Sequence, residues 1–310
     1  MFSDIALILG TTLMYSTPLI FTALGGVISE KSGVVNIGLE GMMTIGAFIG
    51  ATVGYFTGNP WIALLAAGSA AMVLALFHAI ASIHFAADQV ISGMAINFLG
   101  PGISIFLCRI FFDGTTMSLS IPLDQKIPRP LNGFFAQNSF FDLIFNQYAT
   151  VYLAFVLMAI IWFVLYKTRL GLRMQAVGEH PKAADSLGIS VYKIRYIAVL
   201  CSGFLAGIGG ASMALSVVSN FRPTLISGQG FIALAAIIFG KWKPQGATLA
   251  CLLFGGAQAF VIFLGNPQVG VNISSQLLAM IPYILTILIL MGFVGRTNAP
   301  AAVGVPFEKH

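Results

Sequence analysis

The chain has 310 residues, 58% of them hydrophobic and only 8% charged, with a mean hydropathy of +0.93. A soluble domain carries roughly 25% charge, so this composition excludes an ordinary globular enzyme and places the chain among polytopic membrane proteins. The net charge of +5 does not make a nucleic-acid surface, because the basic residues are sparse and flank apolar stretches, where they read as orientation signals.

The first apolar stretch covers residues 5–28, and Pro18 is expected to bend it. Its flank Met1-Phe2-Ser3-Asp4 has no positive n-region, so the stretch is expected to stay in the membrane as a span. After the polar break Glu30-Lys31-Ser32 comes Gly33-Val-Val-Asn36-Ile-Gly38-Leu-Glu40-Gly41-Met-Met43. Glycines, an amide and a carboxylate within an apolar region are tolerated only where protein or a water-filled cavity surrounds them. We read this stretch as a broken or kinked helix entrance to the second span, which ends near residue 56.

Thr57-Gly58-Asn59-Pro60 is a turn signal, and span three follows over 61–85, opening on an interfacial tryptophan. Asp88-Gln89 breaks the pattern before span four, 90–112, which contains Ser92-Gly93, Asn97 and Pro101-Gly102. Residues 113–146 form the longest loop, expected on the extracytoplasmic side, with its phenylalanine pairs against the bilayer surface. Span five is 147–166. The most basic region, 167–195, is expected to be cytoplasmic. Within it, Gly178 to Gly188 reads as a short helix with Pro181 at its first position and Gly188 at its stop.

Span six, 196–218, is rich in glycine, alanine and serine, which lets neighbouring backbones approach and marks it as central. Residues 220–230 are a second glycine-broken stretch, followed by a short apolar run to Phe239 and the break Lys241-Trp242-Lys243-Pro244. Spans eight and nine cover 247–264 and 276–294, and the last dozen residues read as a frayed tail. The expected fold is therefore an all-α bundle of about nine to ten transmembrane helices in one domain, 1–310.

With the 167–195 loop inside, Lys31, Lys167, Arg169, Arg173, Lys182, Lys193, Arg195, Lys241, Lys243, Arg296 and Lys309 are cytoplasmic. Only Arg109, Lys126, Arg129 and Arg222 are outside, which favours an outside N-terminus and an inside C-terminus. The two broken stretches sit at comparable places in the two halves, as in transporters built from structural repeats around a midplane path.

Glu40 is read as the only carboxylate that falls deep inside an apolar segment, with Asn36 one turn earlier on the same face. It is either a path residue or a hydrogen-bonded carboxylate that fixes the kink, and the residues leave both readings open. Asn97, Gln229, Gln258 and Gln276 are further polar candidates, each expected to bond between helices. The amphipathic 178–188 segment is either a docking helix or a solvated interfacial one, and physics alone favours the second. The three cysteines and four histidines have no metal-ligand or triad spacing, and no Walker A loop or zinc motif occurs. No cofactor is expected, and energy from a nucleotide must come through another chain.

Four motifs occur in order: Gly33–Met43, Asp88-Gln-Val-Ile-Ser-Gly93, Gly178-Glu-His-Pro-Lys-Ala-Ala-Asp-Ser-Leu-Gly-Ile189 and Gly228-Gln-Gly-Phe-Ile-Ala-Leu-Ala-Ala-Ile-Ile-Phe-Gly240. In these motifs the chain resembles ABC-type permeases for simple sugars, nucleosides and branched-chain amino acids, most closely the nucleoside branch. The resemblance implies a multi-pass subunit of a bacterial inner-membrane importer. Its implied partners are a second homologous permease, an ATPase with tandem nucleotide-binding modules and an extracytoplasmic binding lipoprotein. It implies that the stretch with Asn36, Gly38, Glu40 and Gly41 lies near the translocation path, for which Asn97 and Gln229 are weaker candidates read from the residues alone. It also implies that Gly178, Glu179, His180, Pro181, Ala183, Ala184, Leu187 and Gly188 couple to the ATPase. A ribose-type sugar is the alternative cargo, and a stand-alone secondary transporter is a more remote reading.

Overall fold

The computed structural model describes residues 2–266 and 298–308, with positions 277, 280, 281 and 284 between them. The described residues are helical, without strands. In chain order the helices are α1 (Phe2–Lys31), α2 (Leu39–Thr57), α3 (Pro60–Ala79) and α4 (Gln89–Phe111). Then come the short α5 (Phe140–Phe145), α6 (Ala149–Lys167), α7 (Arg169–Glu179), α8 (Pro181–Ser186) and α9 (Val191–Ser212). Last are α10 (Gln229–Phe239) and α11 (Pro244–Leu264). Single π turns, Ile80–His84 and Met213–Val218, prolong α3 and α9.

The helix starts follow local chemistry. Asn59 accepts from the amides of Trp61 and Ile62 with Pro60 opening α3, and Asp88 accepts from those of Val90 and Ile91 at the start of α4. Thr168 and Ser190 cap α7 and α9 in the same way.

Seven of these helices are long and apolar enough to cross a membrane, those beginning at Asp4, Leu39, Pro60, Gln89, Ala149, Val191 and Pro244. Helix α10 is apolar but has only 11 residues. At 1.5 Å per residue it reaches about 16 Å, half of a ~30 Å hydrocarbon core. The expected span seven is thus half a helix preceded by irregular backbone. The expected span nine and Gln276 lie outside the described residues, so the described part holds seven full spans and this half.

Helix α9 is central, packing against α1, α2 and α3. The reason is its glycines. A Cβ at Gly210 would lie 1.9 Å from the Met43 carbonyl, one at Gly207 2.5 Å from that of Ala67, and one at Gly203 2.3 Å from the Ala75 Cβ. Any larger residue forces the helices apart, at about 1–3 kcal/mol per added methyl in a packed core.

Two expectations are corrected here. The C-terminal residues are not a frayed tail, because Ala302 and Phe307 are only 7% and 6% exposed. Arg195 is not in a basic loop but in the first turns of α9, fully buried. The C-terminal segment bonds to both Gly33 and Gly178, which gathers all three at one end of the bundle. At the opposite end, the amides of Ser118 and Ile121 donate to the carbonyls of Phe221 and Ser219, joining the long loop to the turn after α9.

Candidate functional site

The break between α1 and α2 turns back into the protein. Leu39 at the start of α2 reaches back along α1, its side chain lying 3.2 Å from where a Cβ on Gly26 would stand, five residues before the end of α1. Irregular backbone at this depth must find its partners within the protein. The Val34 carbonyl accepts from Ser29 Oγ at 2.7 Å, and the Val35 amide donates to Gln89 Oε1 at 2.7 Å. The Val35 carbonyl is 3.0 Å from His78 Nε2, whose Nδ1 is 2.9 Å from Ser92 Oγ. That pairing makes Nε2 the protonated nitrogen and leaves Nδ1 to accept from the serine. Asn97 closes the stretch, donating to the Ile37 carbonyl at 2.9 Å and accepting from the Gly41 amide at 2.9 Å.

The motif 88–93 acquires a physical meaning from these bonds. Asp88 starts α4, Gln89 and Ser92 hold residue 35 directly and through His78, and Gly93 makes space for the turn. A Cβ on Gly93 would stand 3.0 Å from the Gly38 amide nitrogen. Further along, Gly41 and Gly100 are in backbone contact, a Cβ on Gly100 falling 2.2 Å from the Gly41 carbonyl oxygen. Gly38 fits against Ile96 on the same helix.

Glu40 lies in the first turn of α2 and is 9% exposed. Its two oxygens accept from the amides of Gly228 and Gly230, each at 2.6 Å. Those amides open α10, so the carboxylate caps a half-helix whose N-terminus is the positive end of its dipole. Gly228 has φ of +81°, a left-handed conformation that points its N–H at Glu40 and that residues with a Cβ rarely adopt. The two broken stretches therefore meet at one carboxylate. Asn36 is fully buried and donates to Ser202 Oγ on α9 at 2.9 Å, with Met42 Sδ at 3.5 Å. Gln229 is 8% exposed, and its side-chain oxygen has no hydrogen-bond partner among the described residues.

The basic region 167–195 folds as two helices rather than one. Helix α7 is amphipathic and continues α6 after a cap at Thr168; α8 follows with Pro181 in its first turn. Gly188 has φ of +78° beyond the end of α8. Met174, Val177, Gly178 and Ala184 face the bundle, and Gly178 has no room for a side chain, since a Cβ would lie 2.3 Å from the Lys31 carbonyl. Glu179, His180, Ala183 and Gly188 are exposed, Pro181 is half-buried, and Leu187 projects with 81% of its surface free.

Several partners were not read as site residues from the sequence. His78, Gln89 and Ser202 hold the first broken stretch, yet His78 and Ser202 are lone polar residues in apolar runs and Gln89 reads only as part of the Asp88-Gln89 break. Glu40 is also not the only buried carboxylate. Glu30 is 6% exposed and accepts a hydrogen bond from Trp242 Nε1, joining the end of α1 to the turn after α10. Its neighbours Lys31 and Ser32 disguised it as a solvated break. Among the described residues no group of three or more His, Cys, Asp or Glu could hold a metal ion.

Comparison with known proteins agrees with this architecture. Residues 8–290 match the family described as branched-chain amino acid transport system / permease component. The chain is 47% identical to the guanosine ABC transporter permease protein NupQ of Bacillus subtilis, over 98% of this chain and 97% of the relative. It is 41% identical to the nucleoside ABC transporter permease protein NupC of Lactococcus lactis, over 99% and 98%. A protein of Haloferax volcanii provisionally described as a glucose ABC transporter permease, TsgC13, is 34% identical over 94% and 93%.

Proposed function

We propose, from the premise that this chain belongs to the family of branched-chain amino acid transport system permease components, that it carries nucleosides as one permease subunit of an ABC importer. The chain is a multi-pass membrane protein and a transport component. The observation that carries the nucleoside reading is full-length similarity above 40% to two permeases named for guanosine and for nucleosides. A sugar is the second reading, supported by the 34% relative named for glucose.

In this reading ATP is bound and hydrolysed on a partner ATPase with tandem nucleotide-binding modules. A second homologous permease forms the other wall of the path, and an extracytoplasmic lipoprotein delivers cargo. Helix α8 and its flanks, residues 178–188, are the ATPase contact, supported by the exposed Leu187 on a segment that Gly178 and Ala184 anchor to the bundle. Their movement rocks the permease pair between outward and inward access. The path is framed by Asn36, Gly38, Glu40, Gly41, Asn97 and Gln229, which sit where irregular backbone and a half-helix meet. All but the half-buried Asn97 are buried in this chain, so they set the shape of the wall rather than supply a freely exposed binding surface.

The test is uptake into proteoliposomes holding the whole complex, with uridine, adenosine and ribose as competing cargo. Uptake of the nucleosides and not ribose is expected; uptake of ribose alone selects the sugar reading. Leu187→Asp is expected to abolish cargo-stimulated ATP hydrolysis. Uptake that survives this change removes residues 178–188 from the coupling contact.

A further inference from the structure

The C-terminal segment 298–308 lies beyond the residues matched by the family, 8–290, yet it is held along its length. The Ala301 amide donates to Glu179 Oε2 at 3.2 Å, and the Ala302 amide to the Gly178 carbonyl at 2.9 Å. The Gly304 amide donates to the Gly33 carbonyl at 3.3 Å. The Val305 carbonyl accepts from an Arg195 guanidinium nitrogen at 3.2 Å, and the Phe307 carbonyl from the Tyr192 hydroxyl at 3.3 Å. The Phe307 ring meets that of Tyr192 edge-on, with centroids 5.8 Å apart.

These bonds tie together three elements, of which α7 also packs directly on the Lys31–Gly33 backbone through Gly178. One end holds the last residues of α7, the middle holds the broken stretch at Gly33, and the far end holds the start of α9. The amides that bond Gly178 and Gly33 are two positions apart, with only Val303 between them, a length of at most about 7 Å. A shift of α7 therefore has little slack to absorb it before Gly33 moves. Arg195 seats the segment. It is fully buried, and its Nε and second terminal nitrogen have no hydrogen-bond partner among the described residues. That second nitrogen would lie 2.9 Å from a Cβ on Gly33. A buried cation with one donor satisfied is costly, and the acceptor that satisfies it, the Val305 carbonyl, is on the segment.

We infer that residues 298–308 are a coupling strap, which passes displacement of α7 and α8 to the broken stretch 32–38, with Arg195 as the positioning residue that seats it. This rests on the importer reading above. The strap acts by tension through backbone bonds, so it is not required for ATP hydrolysis itself.

The test uses the complete reconstituted complex and measures ATP hydrolysed per nucleoside moved. A chain ending after Phe307 keeps all these contacts and should match the full chain. A chain ending after Thr297, and the variant Ala302→Pro, which lacks the amide that bonds Gly178, should keep ATP hydrolysis while the ratio rises at least about five-fold. Arg195→Gln should move the ratio in the same direction, whereas a merely structural role lowers hydrolysis and transport together. An unchanged ratio in Ala302→Pro and in the chain ending after Thr297 overturns the strap. If the shorter chain does not assemble, Ala302→Pro decides by the same ratio. If the full chain neither moves nucleosides nor responds to the ATPase, the importer reading fails and the strap's function with it.

Discussion

The two broken stretches meet the same demand in different ways. Residues 32–38 are held by side chains from four helices, with Ser29 on α1, His78 on α3, Gln89 and Asn97 on α4 and Ser202 on α9. The N-terminus of α10 is held by one residue, because both anchoring bonds go to Glu40. The first arrangement is redundant and the second concentrated. Loss of one partner should weaken the first by degrees, while loss of Glu40 should release the second at once.

Substitution separates the two arrangements. Glu40→Leu strips both acceptors from Gly228 and Gly230. Bonds to a charged acceptor contribute about 1.5–3 kcal/mol each, so the expected loss is about 3–6 kcal/mol. Size-exclusion profiles and thermal unfolding in detergent should show little folded protein; a profile like that of the parent chain breaks the contrast. Asn97→Ala comes next. It leaves the Ile37 carbonyl and Gly41 amide without their partner, a cost of about 2–4 kcal/mol on the same melting assay.

Glu40→Gln keeps one acceptor oxygen and turns an amide donor toward the other N–H, with an expected loss of about 2 kcal/mol. Uptake should persist in the proteoliposome assay if the carboxylate only caps α10, and vanish if its charge acts on cargo. Smallest is Gln89→Leu, which removes one of several ties on the stretch and should lower stability by about 1 kcal/mol. A loss from Gln89→Leu as large as that from Glu40→Leu would show that the first stretch is no more redundant than the second.

Much of the bundle was legible in the sequence because hydrocarbon leaves few options. Apolar length set the seven full helices, and small residues marked α9 as central, since only glycine and alanine permit contacts such as Gly46 on Gly207. Pro181 and Gly188 bracketed α8 by local chemistry alone. The partners across the bundle were not legible. Gln89 meets Val35 over 54 positions and Asn36 meets Ser202 over 166, and no local pattern encodes such separations. The C-terminal segment misled for a related reason. Its small and proline-rich composition reads as disorder, but its backbone is held by groups that α7 and α9 present to it.

The half-helix α10 also bears on how the chain is built. Eleven residues are too few to partition into a bilayer as an independent span, and the start of α10 needs a carboxylate to meet its amides. That carboxylate is 188 positions earlier than Gly228, so synthesis from the N-terminus places α2 in the membrane long before α10 emerges. The acceptor therefore waits for its donors. The half-helix is thus seated on a side chain that precedes it in synthesis.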